Sequence, residues 1–173
     1  LPDAGRRKVV ANLPYSVASR VLVNLAEAGA PPPVVVATVQ REVADRLVAA
    51  PGNKNYGALT IWLQSVYEVT VQKAVSSACF WPRPGVDSSV IRLVRRGEGA
   101  FTWKDRGVFH RLVKHSFMQR RKQLPTILSR VPGIRAMPPA EWREELVKLG
   151  VAPTARPEDL AVGEWCRLAD ALT

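Results

Sequence analysis

The second half of an α/β sheet, followed by a small all-α domain, is the fold class predicted by this 173-residue sequence. Three observations carry it. Apolar runs of strand character alternate with segments of helical period, but only as far as residue 95. The last two strand-like runs follow one another with no helix between them, as a closing hairpin does. Everything beyond the linker is helical or loop. The order strand, helix, strand, helix, helix, strand, strand is too short for a complete doubly wound domain and fits its latter half.

Taken in order, residues 8–11 (Lys-Val-Val-Ala) predict the end of a buried strand, and Asn12-Leu13-Pro14-Tyr15 the loop that follows. Residues 16–28 predict a helix capped by Ser16, with Val17, Val21, Leu22 and Leu25 on one face and Gly29 at its end. Pro31–Pro33 is a stiff connector. Val34–Val39 is β-branched and predicts a second buried strand. Arg41–Ala50 returns to helical spacing through Val43, Ala44, Leu47 and Val48, and Pro51-Gly52-Asn53 breaks it. Residues 57–66 predict another helix. Val69–Val75 and Ser89–Val94 predict the hairpin strands, with the turn-rich Phe80–Gly85 between them.

Residues 1–95 are therefore expected to form a partial sheet domain, 96–103 a linker, and 104–173 a helical domain. In the last, three apolar stripes predict short amphipathic helices: Val108, Phe109, Leu112, Val113 and Phe117; then Trp142, Leu146 and Leu149; then Trp165, Leu168 and Leu172.

Nearly half the residues are hydrophobic, which excludes a disordered tail, and the formal charge is +10. Residues 1–100 hold 12 basic against 7 acidic side chains, and residues 101–173 hold 13 against 8. The excess is spread along the chain and predicts a broad basic surface for a nucleic acid. No apolar run approaches the roughly 18 residues of a spanning helix, so no membrane partner is expected. Cys79 and Cys166 lie in no Cys/His cluster, and His110 and His115 are five apart on different helical faces, so no metal is expected. Free thiols fit a reducing cytoplasm.

Two motifs carry chemistry. An exocyclic amino group is a poor nucleophile because its lone pair is delocalised into the base. Accepting both amino hydrogens holds its nitrogen in line with an incoming methyl group. After a strand, the Asn12 side chain offers one acceptor, and the backbone carbonyl of Leu13 or Pro14 the other. Pro14 stiffens the loop, and Tyr15 gives a flipped-out base a face to stack on. No general base or metal is needed. Phe80, at the start of Phe80-Trp81-Pro82-Arg83-Pro84-Gly85-Val86-Asp87-Ser88, is placed to cover the other face of the base. The plainer readings are a strand-to-helix turn for the first motif and a covered sheet edge for the second.

Together with Gln40–Val43, Arg46–Ala49, Tyr56-Gly57, Leu59, Phe117, Gln119-Arg120-Arg121-Lys122 and Leu128, these motifs resemble, in order and over nearly the whole chain, the bacterial small-subunit (16S) rRNA adenine-N6,N6-dimethyltransferases, the kasugamycin-resistance family. The resemblance implies a Rossmann-like sheet that binds S-adenosyl-L-methionine, dimethylation of two adjacent adenosines, and a 30S pre-ribosomal particle as partner. It implies that Asn12 lies beside both cofactor and target amine, and that Tyr15 and Phe80 hold the adenine. Arg111, Lys114, Arg120, Arg121 and Lys122 are the candidate grip on rRNA phosphates, the alternative being a solvated helical face. Pro125 falls where the family's helix often continues.

The family's glycine-rich cofactor loop is not found, and neither Gly5 nor Gly29 replaces it. The expectation is that about the first hundred residues of the family pattern are missing, and that this chain alone is inactive. Alternatives are a large-subunit rRNA adenine methylase of the antibiotic-resistance type, a non-catalytic RNA-binding assembly factor, and an adenine-specific DNA methylase.

Overall fold

The computed structural model describes residues 7–97, 99–135 and 137–173. Gly5, the chain start and Glu98 of the expected linker lie outside the described residues. The chain divides into two compact units, one of residues 1–49 and 62–98 and one of 50–61 and 99–173. Residues 50–61, which sequence patterning assigns to the sheet domain, thus fall with the helical unit.

The first unit is built on β1 (Val9–Asn12), α1 (Ala18–Glu27), β2 (Val34–Gln40), α2 (Arg41–Leu47), β3 (Tyr67–Val75) and β4 (Ser88–Arg95). The strands form one sheet in the order β1-β2-β4-β3. β1 and β2 run parallel, with Asn12 beside Thr38, whereas β4 is antiparallel to both β2 and β3. The β-branched runs explain the strands, and the expected closing hairpin is present.

Burial differs from expectation. On β2, Val35, Ala37 and Val39 are buried while the alternate residues are half exposed. β1 is not a buried strand: Val10 is 80% exposed. The pleat sends alternate side chains to opposite faces, and only one face of β1 and β2 meets the core.

The start of α1 differs too. Ser16 does not cap it; Val17 takes the cap position with no side-chain bond. The Pro14 carbonyl accepts from the backbone N–H groups of Val17 and Ala18, at 3.1 and 3.0 Å, and so serves the helix's free donors. The buried stripe is Ala18, Leu22 and Ala26, while Val17 faces solvent. Past α2, the Gln64 side-chain amide donates to the carbonyls of Leu47 and Ala49 and fixes the chain where that helix ends.

The division between the units falls within α3 (Ala58–Gln64). The second unit holds α4 (Arg106–Met118), α5 (Leu124–Leu128), α6 (Pro139–Lys148) and α7 (Val162–Ala171). The three apolar stripes fall on helices of this unit, except that Leu149 and Leu172 stand just past the ends of α6 and α7. Val108, Phe109, Leu112, Val113, Trp142, Leu146, Trp165 and Leu168 are buried. Phe117 meets the rings of Tyr56 and Trp165 at 6.2 and 5.9 Å between centroids. The Tyr56 hydroxyl donates to the Leu160 carbonyl at 2.8 Å, which gives the Tyr56-Gly57 motif a structural purpose. Asp105 caps α4 by accepting from Val108 N–H, and Pro125 stands in the first turn of α5, where no intrahelical bond is lost with its missing N–H.

Candidate functional site: a base-sized cavity at the end of β1

β1 ends at Asn12, and the next residues turn sharply to serve α1. This turn forms one wall of a cavity of about 310 Å³, lined by Asn12, Leu13, Pro14 and Tyr15. The other wall is Phe80, Trp81, Pro82 and Pro84. The fold therefore unites all five residues predicted to act on a base.

Asn12 is exposed, and among the described residues its side-chain amide has no hydrogen-bond partner. The two candidate backbone acceptors are not equivalent. Pro14 already commits its carbonyl to two N–H groups of α1. The Leu13 carbonyl receives no donor among the described residues, while the Leu13 N–H is tied to the Thr38 carbonyl at 3.4 Å. One free side-chain oxygen and one free backbone oxygen, on adjacent residues, are what an amino group with two hydrogens requires.

Both aromatic residues are held from behind. The Tyr15 hydroxyl is hydrogen-bonded to the Ser88 hydroxyl across 73 residues of sequence. Ser88 is buried at the start of β4, so it makes a fixed anchor. Phe80 follows a short 3-10 turn, Ser77–Cys79, capped by Ser76. The Asp87 carboxylate accepts from Ser77 N–H at 2.9 Å, the Arg83 side chain donates to the Ser77 hydroxyl at 3.2 Å, and the Asp87 carbonyl accepts from Arg41 N–H at 3.0 Å. Asp87 and Ser88 thus position the loops that carry Phe80 and Tyr15. In sequence these two residues stand out only as members of a motif. The available signal is a carboxylate followed by two hydroxyls, Ser88 and Ser89, opening a strand that otherwise carries apolar and basic side chains.

Trp81, to which the sequence assigns no role, is 97% exposed on the rim of the cavity. Asn12 supplies the one side-chain amide among the lining residues.

The five cations predicted for RNA divide into two kinds. Arg120 is engaged within its own unit: its guanidinium pairs with Glu158 and donates to the carbonyls of Lys54 and Asn53, the latter at 2.9 Å. The side chains of Arg111, Lys114, Arg121 and Lys122 are exposed and make no ion pair or hydrogen bond among the described residues. Among the described residues there is no cluster of metal-ligating side chains and no helix long and apolar enough to cross a membrane.

Residues 3–173 match the family model described as ribosomal RNA adenine dimethylase. The sequence is 42% identical over 177 residues to the ribosomal RNA small subunit methyltransferase A of Geobacillus kaustophilus, covering 99% of this chain and 59% of the relative. It is 39% identical over 165 residues to the protein of the same name from Streptococcus pneumoniae, covering 95% and 57%. The chain thus spans under three fifths of the length of these two relatives. The fold is similar to that of a dimethyladenosine transferase from Plasmodium falciparum, with a TM-score of 0.78 at 24% identity, over 93% of this chain and 64% of that one. It is also similar to the 23S rRNA methyltransferase ErmE, with a TM-score of 0.65 at 23% identity, over 95% and 64%.

Proposed function

Because the chain belongs to the ribosomal RNA adenine dimethylase family, we propose that it carries the base-binding and RNA-binding parts of an enzyme that dimethylates adjacent adenosines at N6 in small-subunit rRNA. The reaction takes place on a 30S pre-ribosomal particle in the cytoplasm. The observation that carries this reading is the pair of free acceptors on Asn12 and Leu13, set in a cavity between Tyr15 and Phe80.

The target adenosine leaves its stack and enters between the two rings, where aromatic contact offsets the loss of stacking. The Asn12 side-chain oxygen and the Leu13 carbonyl each accept one amino hydrogen. This orients N6 and removes rotational freedom before reaction, which is the main source of rate in a site without general base or metal. S-adenosyl-L-methionine supplies the methyl group when bound, with Asn12 the residue of this cavity that meets it. Pro14 keeps the loop in place through its two bonds to α1. Arg111, Lys114, Arg121 and Lys122 hold rRNA phosphates from the second unit.

Placing 2-aminopurine at the target position of the rRNA hairpin tests the base site without any methyl donor. Its fluorescence should change on binding to this chain, and the Tyr15→Ala and Phe80→Ala variants should lose that change. Asn12→Ala should retain RNA affinity and the fluorescence change but lower methyl transfer in the methyl-donor-competent enzyme by at least about a hundredfold, as removal of a positioning group does. Equal methylation after Asn12→Ala would defeat the proposal. Preference for naked large-subunit rRNA over undermethylated small subunits would move the activity to the other branch of rRNA adenine methylation.

A further inference from the structure

A second recess lies on α4, within the helical unit. Arg111, Lys114, His115 and Met118 are spaced by three and four residues, so they form one stripe along the helix. With Pro132 they line an open cavity of about 210 Å³. The stripe is not part of the core. Met118 is 75% exposed, although α4 has a fully buried face of its own. The Arg111 guanidinium extends past two glycines. A Cβ added at Gly107 would lie 3.1 Å from the Asp105 carboxylate and 3.2 Å from the Arg111 terminal nitrogen. The carboxylate that caps α4 thus stands near the guanidinium without pairing with it among the described residues. A Cβ added at Gly133 would lie 3.8 Å from the Arg111 Nε. Neither Arg111 nor Lys114 has an ion pair among the described residues.

We propose that this recess seats one unpaired RNA nucleotide, its base against Met118 and Pro132 and its phosphate on Arg111 and Lys114. The proposal rests on the reading that the chain binds ribosomal RNA, and it adds a nucleotide seat separate from the target-base cavity. Charge complementarity selects the occupant: two free cations flank an apolar floor, and a nucleotide joins a flat apolar base to a phosphate in the same order. A thioether is soft and polarisable and packs well on an aromatic face. The guanidinium gives a phosphate two parallel donors, and the lysine adds a point charge. A paired base in an A-form helix presents no free face, so the seat requires a bulged, looped or terminal nucleotide.

The chain has only two methionines, Met118 and Met137, which makes methyl NMR on selectively labelled protein direct. The probe is a short unpaired oligoribonucleotide, titrated into the 173-residue chain beside an abasic oligomer of the same length. The expected result is an upfield ring-current shift of the Met118 methyl with the first oligomer only, while Met137 stays in place. An R111Q/K114Q double variant should bind several-fold more weakly. Its slope of log affinity against log salt should fall by about 0.7, the contribution of the one single-strand phosphate that the pair neutralises. RNA binding with an unmoved Met118 methyl overturns the proposal and leaves the RNA reading standing. An equal shift with the abasic oligomer overturns the base seat. Failure of any RNA to bind removes this proposal together with the reading beneath it.

Discussion

One carbonyl separates two readings of the Asn12–Tyr15 loop that the sequence leaves equal. Pro14 and Leu13 both offer an oxygen, but Pro14 bonds two N–H groups of α1, so Leu13 remains for a ligand. No spacing rule contains this, because it depends on which residue the helix chooses as its cap. Arg120 makes the same point. Beside Arg121 and Lys122 it reads as one cation among three, yet its guanidinium ties Glu158 to the chain at Asn53 and Lys54. Arg120→Gln should destabilise the protein by about 1–2 kcal/mol, since charge-assisted hydrogen bonds are lost from a half-exposed position. Arg121→Gln and Lys122→Gln should leave the urea midpoint unchanged and lower RNA affinity. The opposite assignment, with Arg120→Gln neutral in urea, would return Arg120 to the RNA-binding set.

Elements are more legible than their ends. The hairpin strands and the three helical stripes can be read because periodicity survives in the local sequence, and a β-branched run or an i, i+4 stripe fits few backbone conformations besides strand or helix. The start of α1 departs from its sequence signal because a serine beside a helix is a good cap only if the backbone places it there. The burial of β1 departs because a valine pair looks the same whether one face or both faces are covered. At the start of α4, Asp105 is the cap in fact. Asp105→Ala should cost about 1 kcal/mol in urea unfolding. It should also weaken RNA binding if α4 presents the second nucleotide seat, and a neutral result in urea would show that the cap contributes nothing.

For the molecule as a whole, the two units share an alkaline limit. Burial pushes the Tyr67 phenol from its ordinary 10 up to about 12, against the opposing charge of Arg95. Burial also raises Tyr56, with the negative charge of Glu164 in the same direction. A folded-state pKa above the unfolded one means the neutral phenol favours the fold. That stability is complete below about pH 10, where both states stay protonated. It is lost between about pH 10 and about 12, as the unfolded chain ionises first. Burial also pushes the Cys166 thiol from its ordinary 9 up to about 12, a loss of the same sign that begins nearer pH 9. Thermal midpoints should therefore hold up to about pH 9 and then fall, most steeply above about pH 10. Tyr67→Phe should extend the stable range, with no loss at neutral pH, because the Tyr67 hydroxyl is buried without a hydrogen-bond partner among the described residues. A midpoint equally sensitive to alkali in Tyr67→Phe and the parent would show that Tyr67 does not set the limit. The division into two units is legible as a change from mixed to helical character. The recruitment of residues 50–61 to the second unit is not, since membership of a compact unit is decided by packing between residues distant in sequence.

The strand order carries a temporal consequence. β4 lies between β2 and β3 in the sheet but is the last of the four in the sequence. It begins at Ser88, 48 residues after β2 ends at Gln40. At about 5–20 residues per second, a nascent chain waits about 2–10 s between completing β2 and starting the strand that will bond to it. During that interval β2 has parallel β1 on one side and an open row of amides and carbonyls on the other. The β3–β4 hairpin, whose strands are separated by only residues 76–87, is the more local pairing and the unit able to form first and dock as one piece onto that waiting edge.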